Sequence, residues 1–311
     1  MKKACLVVVA VCVAAVCAGV ENHAEDIIAR ILENAAKIKA ACPQAVPMAF
    51  WDFDGTIIKG DISEGCEVVD GKVVMLYKGL VQKTIEAGLN SVYPSKGGWE
   101  QYWKKDYPRL RDGIGRWLAW PFNAQMYYGQ SAAKLDAFCS AECEKLYRKW
   151  YFASSMKIWR ALEKAGVENY VVSASPEIFV RNAAQSLGVP SSRCRGIRVA
   201  IDGDFVTTRI IYPIPNGEGK VENVRELVGA RPNGVAIAAF GNSYSTDGAF
   251  LRYVATQPSL PGGAKGTAVM INGGKVVPGY TEHFITVTQD ETIGESSAAD
   301  RRQGSETVQT K

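Results

Sequence analysis

"AFWDFDGTIIKGD", residues 49–61, places two aspartates, Asp52 and Asp54, at the end of an apolar run and just before Gly55-Thr56. The run "VPMAFWDF", residues 46–53, reads as a buried strand. A strand buried on both faces has no use for carboxylates, so the pair marks the strand's end and a need for acid there. Upstream, residues 24–41 space Ile27, Ile28, Ile31, Leu32, Ala35 and Ile38 as one face of an amphipathic helix. Pro43 and Pro47 bracket the connector between them.

Downstream, Asp70-Gly71 between two apolar runs signals a hairpin. Residues 76–160 mix helical periods with Gly and Pro interruptions and read as a helical subdomain. From 161 the pattern alternates. "VENYVVSAS" (167–175) is a strand, and "PEIFVRNAAQSLG" (176–188) a helix with Pro176 in its first turn and Gly188 at its end. "RGIRVAIDGDFVTTRII" (195–211) is a hairpin about Asp202-Gly203, and "KVENVRELVG" (220–229) a helix. "GVAIAAFG" (234–241) is another strand, and "GTAVMINGG" (266–274) the last core strand. Strands alternating with helices predict a parallel sheet and an α/β fold. The stretch from about 290 has almost no large apolar residue and is expected to be a disordered tail, 290–311.

The first residues read as an address rather than a fold element. Lys2 and Lys3 precede an apolar stretch from Ala4 to about Val16, and Val16-Cys17-Ala18 offers a cleavage site, so 1–18 is expected to be a signal peptide and the protein exported. No later segment has eighteen unbroken apolar residues, which argues against a membrane span after cleavage. A net charge of +4 gives no reason to invoke nucleic acid. Three of the eight cysteines lie in the leader. The other five, Cys42, Cys66, Cys139, Cys143 and Cys194, are an odd number, which in an oxidising compartment leaves at least one thiol free or intermolecular. Cys139 and Cys143 have no His or further Cys nearby to form a zinc framework, and read as small buried residues.

Ligands of parallel sheets bind beyond the carboxyl ends of the strands. Those ends carry Asp52 and Asp54, then Ser173-Ala174-Ser175, then Gly241-Asn242-Ser243 with Asp247 just beyond; Lys220 opens the intervening helix. Each alone could be a capped turn, but together they suit phosphoryl transfer. Two close carboxylates need a cation to stay ionised, and a hard, oxygen-ligated Mg²⁺ answers that need.

These residues carry a resemblance. "FWDFDGT", "VVSASPE", Gly219-Lys220 and "FGNSYSTD" resemble, in order, the four motifs of the haloacid dehalogenase-like hydrolase superfamily. Within it the chain is similar to the phosphoserine-phosphatase-like group and to exported phosphorylcholine and acid phosphatases. The resemblance implies a Rossmann-like parallel-sheet core, residues 24–75 and 161–289, with a mainly α-helical cap inserted at 76–160. It implies Mg²⁺-dependent hydrolysis of a small phosphomonoester. Asp52 is then the nucleophile, and Asp54 the general acid/base whose carbonyl also ligates the metal. Thr56 sets the loop and helps bind substrate. Ser173 and the backbone at Ala174 bind phosphate, and Lys220 stabilises the phosphoryl charge. Asn242 ligates the metal, with Asp247 supporting it. Asn242 stands where the superfamily usually has Asp, which leaves open an altered metal site or a catalytically weak, phosphate-binding relic.

The expected cap holds 14 Lys plus Arg against 7 Asp plus Glu, a lid suited to anions or merely a solvated surface. Its rings, among them Trp103, Tyr107 and Trp120, are either a bulky core or a cage for the quaternary ammonium of phosphorylcholine. Asp61 and Glu64 are either turn caps or acceptors for a substrate amino group. His23 and His283 have no ligand-like neighbours. Dehalogenation needs neither Asp54 nor a metal, so both features argue against it.

Overall fold

Period-two alternation assigns each residue of the first strand to a face. In the computed structural model, which describes residues 23–69, 73–273, 278 and 281–293, β1 (Val46–Trp51) is buried on both sides. Met48 and Phe50 enter one cluster with Val221, Val224, Phe250 and Leu251. Ala49 and Trp51 enter the other with Ile31, Ile38, Trp159 and Ile237. The expected signal segment 1–18 and the Asp70-Gly71 turn lie outside the described residues.

The helix spanning residues 23–41 (α1) precedes β1, and its Ile27, Ile31 and Ile38 are buried as their spacing predicts. After β1, the strands β2 (Gly65–Val69) and β3 (Val73–Lys78) pair as an antiparallel hairpin. Then come α2 (Leu80–Glu86), α3 (Gly98–Gln101), two π-helical turns (Tyr102–Asp106, Arg109–Ile114), α4 (Arg116–Gln125) and α5 (Ala132–Leu146). The chain returns to the core with α6 (Ala153–Lys164), β4 (Glu168–Pro176) and α7 (Glu177–Gln185). The hairpin β5 (Cys194–Asp202) and β6 (Phe205–Ile211) follows, then α8 (Glu218–Ala230), β7 (Gly234–Gly241), α9 (Gly248–Ala255), β8 (Thr267–Ile271) and β9 (Phe284–Val287).

The main sheet has seven strands in the order β6-β5-β4-β1-β7-β8-β9, parallel except for the β5/β6 pair. This is the expected α/β, Rossmann-like core. β1 lies at its centre between β4 and β7, so their carboxyl ends form one rim. At the middle of the sheet Trp51 stacks on Phe240, with ring centroids 3.6 Å apart, and donates its Nε1–H to Asn169 Oδ1 (2.9 Å). The buried indole thus has both an apolar contact and a polar partner.

Three boundaries differ from those expected. β8 is not the last strand, because β9 adds to the edge beyond it. Residue 160 falls inside α6, whose Met156, Ile158, Trp159 and Leu162 are buried, Trp159 with its ring 5.3 Å from Trp51. The residues expected to begin a disordered tail at 290 are placed against the core through 293: Glu291 O accepts from Ala153 N (2.8 Å), and Ile293 N donates to Tyr151 O (2.8 Å). The rest of 290–311 lies outside the described residues.

The insertion is tied to the core at both ends and in its middle. Leu80 N donates to Ile62 O (2.8 Å) and Phe152 N to Ile57 O (2.9 Å). Between them, Gly129 N donates to Val206 O (2.7 Å), Val206 N to Gln130 O (3.0 Å) and Ala132 N to Asp204 O (2.7 Å). Inside it, Trp99, Trp103 and Tyr107 stack in series at 5.1 and 5.6 Å, with Tyr102 5.2 Å from Tyr107. Most of the aromatic residues are therefore core. Among the described residues all five cysteines are unbridged; burial pushes Cys66, Cys143 and Cys194 up to about 12, as suits inert packing thiols.

Candidate active site

β1 runs directly into the site, with Asp52 N donating to Phe240 O (2.8 Å) one residue past the strand. The chain then turns. Phe53 O accepts from Ile57 N and Ile58 N (2.9 and 3.1 Å), and Gly55, at φ +68°, donates to Ile58 O and Gly60 O (2.9 Å each). A left-handed φ is what a glycine supplies at no steric cost. The turn leaves both Asp52 and Asp54 on one cavity of about 100 Å³.

Asp52 is held at both oxygens. Lys220 Nζ donates to Oδ1 (2.6 Å) and Thr56 Oγ1 to Oδ2 (3.1 Å). Lys220 also donates to Asp247 Oδ1 (2.7 Å) and has no solvent exposure. Asp247 Oδ2 accepts from Asn242 N and Ser243 N (2.9 Å each), which fixes the turn after β7. Asp54 Oδ1 accepts from Ile62 N (2.6 Å), and its Oδ2 from Ser173 Oγ (3.1 Å) and Ser175 Oγ (2.8 Å).

Two glycines permit this closeness. A Cβ on Gly241 would lie 2.5 Å from Asp247 Cβ, and one on Gly219 would lie 1.8 Å from Ile214 O. The second neighbour is backbone and cannot step aside. Gly219→Ala is therefore expected to destabilise the protein by about 1–3 kcal/mol or more, the usual cost of overpacking, and to displace Lys220. Urea unfolding measures the first effect; an unchanged midpoint would refute it.

The charges are unevenly matched. Burial pulls the Lys220 ammonium down, but Asp247 and Asp52 more than restore it, so it stays protonated. Burial and Asp247 raise the Asp52 carboxyl, outweighing Lys220. Burial, with Asp61 adding, pushes Asp54 up to about 8. Asp61 rises to about 8 through burial and the neighbouring Glu64. Four carboxyl groups thus line one cavity, and the ammonium of Lys220 behind them is shared with a fifth. Among the described residues no three His, Cys, Asp or Glu side chains form a metal cluster. The donors on the cavity (Asp52, Asp54 and Asn242) are all oxygen, and a cation would offset the burial and crowding that raise the two carboxyls, so they fit a hard divalent cation such as Mg²⁺.

The insertion closes the other side. Tyr107 donates to Glu64 Oε1 and accepts from Trp120 Nε1 (3.2 Å). Arg111 lies over the Tyr107 ring (5.5 Å) and Arg116 over the Trp120 ring (5.4 Å). Arg116 also reaches Ser245 Oγ on the core (3.2 Å).

The family model of the haloacid dehalogenase-like hydrolases matches residues 49–252. The chain belongs to that family. This haloacid dehalogenase-like hydrolase matches no curated protein in sequence. A protein of unknown function from Bordetella pertussis Tohama I shares its fold at a TM-score of 0.56 and 16% identity, over 77% of this chain and 94% of its own. A HAD family hydrolase from Salmonella enterica serovar Typhi aligns at 0.49 and 17%, over 79% and 70%. A phospho-aspartyl intermediate analogue of phosphoserine phosphatase aligns at 0.44 and 12%, over 80% and 95%. At 16% identity the likeness to the Bordetella protein is one of fold.

In this family member Asp52, Asp54, Asp61, Glu64, Tyr107, Trp120, Ala174 and Asn242, all singled out in the sequence, line the cavity. Thr56, Ser173, Lys220 and Asp247 stand directly behind them, fully buried. Thr56 and Ser173 spend their hydroxyls on Asp52 and Asp54, and Asp247 has both oxygens engaged by Lys220 and the 242–243 turn. Asp61 Oδ1 caps Ser63 N and Glu64 N (2.6 and 2.9 Å), as the turn-cap reading expects, and the residue also lines the cavity with Glu64. Ser175, Ser63, Arg111 and Arg116 were not singled out. Ser175 sat in the quoted motif, two residues past Ser173 and on the same strand face; the arginines carried no signal beyond the charge of the insertion.

Proposed function

We propose that the protein is an exported, Mg²⁺-dependent phosphatase acting on a small phosphomonoester through an aspartyl-phosphate. The observation that carries the reading is Asp52, held between Lys220 and Thr56 and facing a cavity shared with Asp54 and Asn242. Export rests on the leader-like residues 1–18.

An oxygen of Asp52 attacks phosphorus, and the bond to the ester oxygen breaks. The departing alkoxide takes a proton from Asp54, whose raised pKa keeps that proton available near neutral pH. Water then yields its proton to Asp54 and attacks phosphorus, releasing inorganic phosphate and restoring Asp52. Lys220 faces the charge carried by Asp52 throughout. A bound Mg²⁺, held by Asp52, Asn242 and the Asp54 carbonyl, would neutralise phosphoryl oxygens.

The cap favours one candidate substrate over another. A cage for a quaternary ammonium needs open ring faces, and those of Tyr107 and Trp120 carry Arg111 and Arg116. The mixed lining of Asp61 and Glu64 with two arginines suits a small phosphomonoester that also bears an ammonium with N–H donors and a carboxylate, as phosphoserine does, better than phosphorylcholine, which has neither. Hydrolysis of p-nitrophenyl phosphate and phosphoserine with Mg²⁺, suppressed by EDTA, tests the reading; no turnover of any phosphomonoester in a metabolite panel would overturn it.

The amide at 242 gives a second test. Asn242→Asp adds a negative charge to the cation's ligands and is expected to lower the Mg²⁺ concentration for half-maximal rate by about tenfold. A metal titration reads this directly, and an unchanged midpoint would remove residue 242 from the metal site.

A further inference from the structure

The residues past β9 lie outside the span matched by the family model, yet they close on the catalytic turn from behind. Gln289, nearly fully buried, donates Nε2–H to Thr56 O (3.0 Å). Ser155 Oγ, from α6, donates to the same carbonyl (2.7 Å) and accepts from Gln289 Nε2 (2.9 Å). The Ser154 hydroxyl donates to Gln289 Oε1. Gln289 is itself gripped through its backbone, with Asn272 Oδ1 accepting from its N–H (2.8 Å) and Asn272 Nδ2 donating to its carbonyl (2.6 Å). One residue on, Asp290 Oδ1 meets Lys59 Nζ (2.6 Å), and Lys59 is almost wholly buried three residues past Thr56.

From this we propose that Gln289 is a positioning residue for the reaction, clamping the Thr56 carbonyl so that the Thr56 hydroxyl stays on the nucleophile Asp52. The chain of contacts is short and fully buried: Gln289 Nε2 to Thr56 O, then Thr56 Oγ1 to Asp52 Oδ2. Each partner spends a polar group that would be costly to leave unpaired, so the clamp is either made or paid for in stability. Asp290 and Lys59 hold the far side of the same turn. The strap therefore fixes the rotamer of a supporting group and does not itself touch substrate.

The inference rests on the phosphatase reading, and its test separates the two. Gln289→Glu keeps the size and the acceptor but removes the Nε2 donor. Its kcat on p-nitrophenyl phosphate is expected to fall about 10- to 100-fold, the range for removing a group that orients a catalytic ligand, with KM within about twofold. In a Thr56→Val background, where the hydroxyl is already gone, the same change should lower kcat less than about twofold further. Hydrogen exchange of peptides covering 55–60 should quicken in Gln289→Glu while those in β7 do not change. An equal loss of kcat in both backgrounds, a shift in KM alone, or a fall in thermal stability with kcat intact would each overturn the proposal. If the wild-type protein turns over no phosphomonoester, the phosphatase reading falls. The exchange experiment then still decides whether Gln289 holds the turn: faster exchange confined to 55–60 upholds the clamp, and unchanged exchange sinks it.

Discussion

Asp52→Asn is expected to abolish turnover of p-nitrophenyl phosphate, by at least about 10⁴-fold, while leaving the fold intact. The amide is nearly the same size, keeps its one oxygen for Lys220 and turns its NH2 to the Thr56 hydroxyl, which can accept, but it is a poor nucleophile and forms no aspartyl-phosphate. Stability should barely change or rise, because a carboxyl raised by burial and by Asp247 is replaced by a neutral group. Lys220 keeps Asp247 as its counter-charge. Retained turnover in a variant that unfolds like the wild type would remove Asp52 from the chemistry.

Lys220→Met should behave differently, losing both rate and stability. Its ammonium is the shared partner of two buried carboxylates at 2.6 and 2.7 Å. Removing one member of a buried pair leaves charge uncompensated, at a cost of about 3–5 kcal/mol. The sign with pH follows from the protons bound. Asp52, whose carboxyl burial already raises, loses the cation that lowers it, so the native state binds its proton more tightly and the deficit grows as pH rises from about 4. Unfolding followed from acid to neutral pH checks this; a deficit independent of pH would mean that Asp52 does not depend on Lys220.

The core of the site was legible because its signals are local. The apolar run ending in Asp52 and Asp54 marks a buried strand and its end, and alternation with helices gathers the other strand ends beside it. Lys220 follows a glycine that only a close helix start requires. What was not legible depends on distant partners. Arg111 and Arg116 reach the cavity only after two π-helical turns carry them there. β9 is four residues long, too short for a pattern to stand out. Residues 290–293 were expected to be disordered because composition measures apolar burial, and polar hydrogen bonds hold this stretch and the residue before it in place: Gln289 to Thr56 and Asn272, Asp290 to Lys59.

The three ties of the insertion limit how the cavity can open. A body fixed at three separated points has no free axis of rotation, so the whole unit cannot swing as a door. Any widening of the cavity is then expected to come from within the insertion, where Tyr107 lies between the turns Tyr102–Asp106 and Arg109–Ile114 and Arg116 spans to Ser245 on the core.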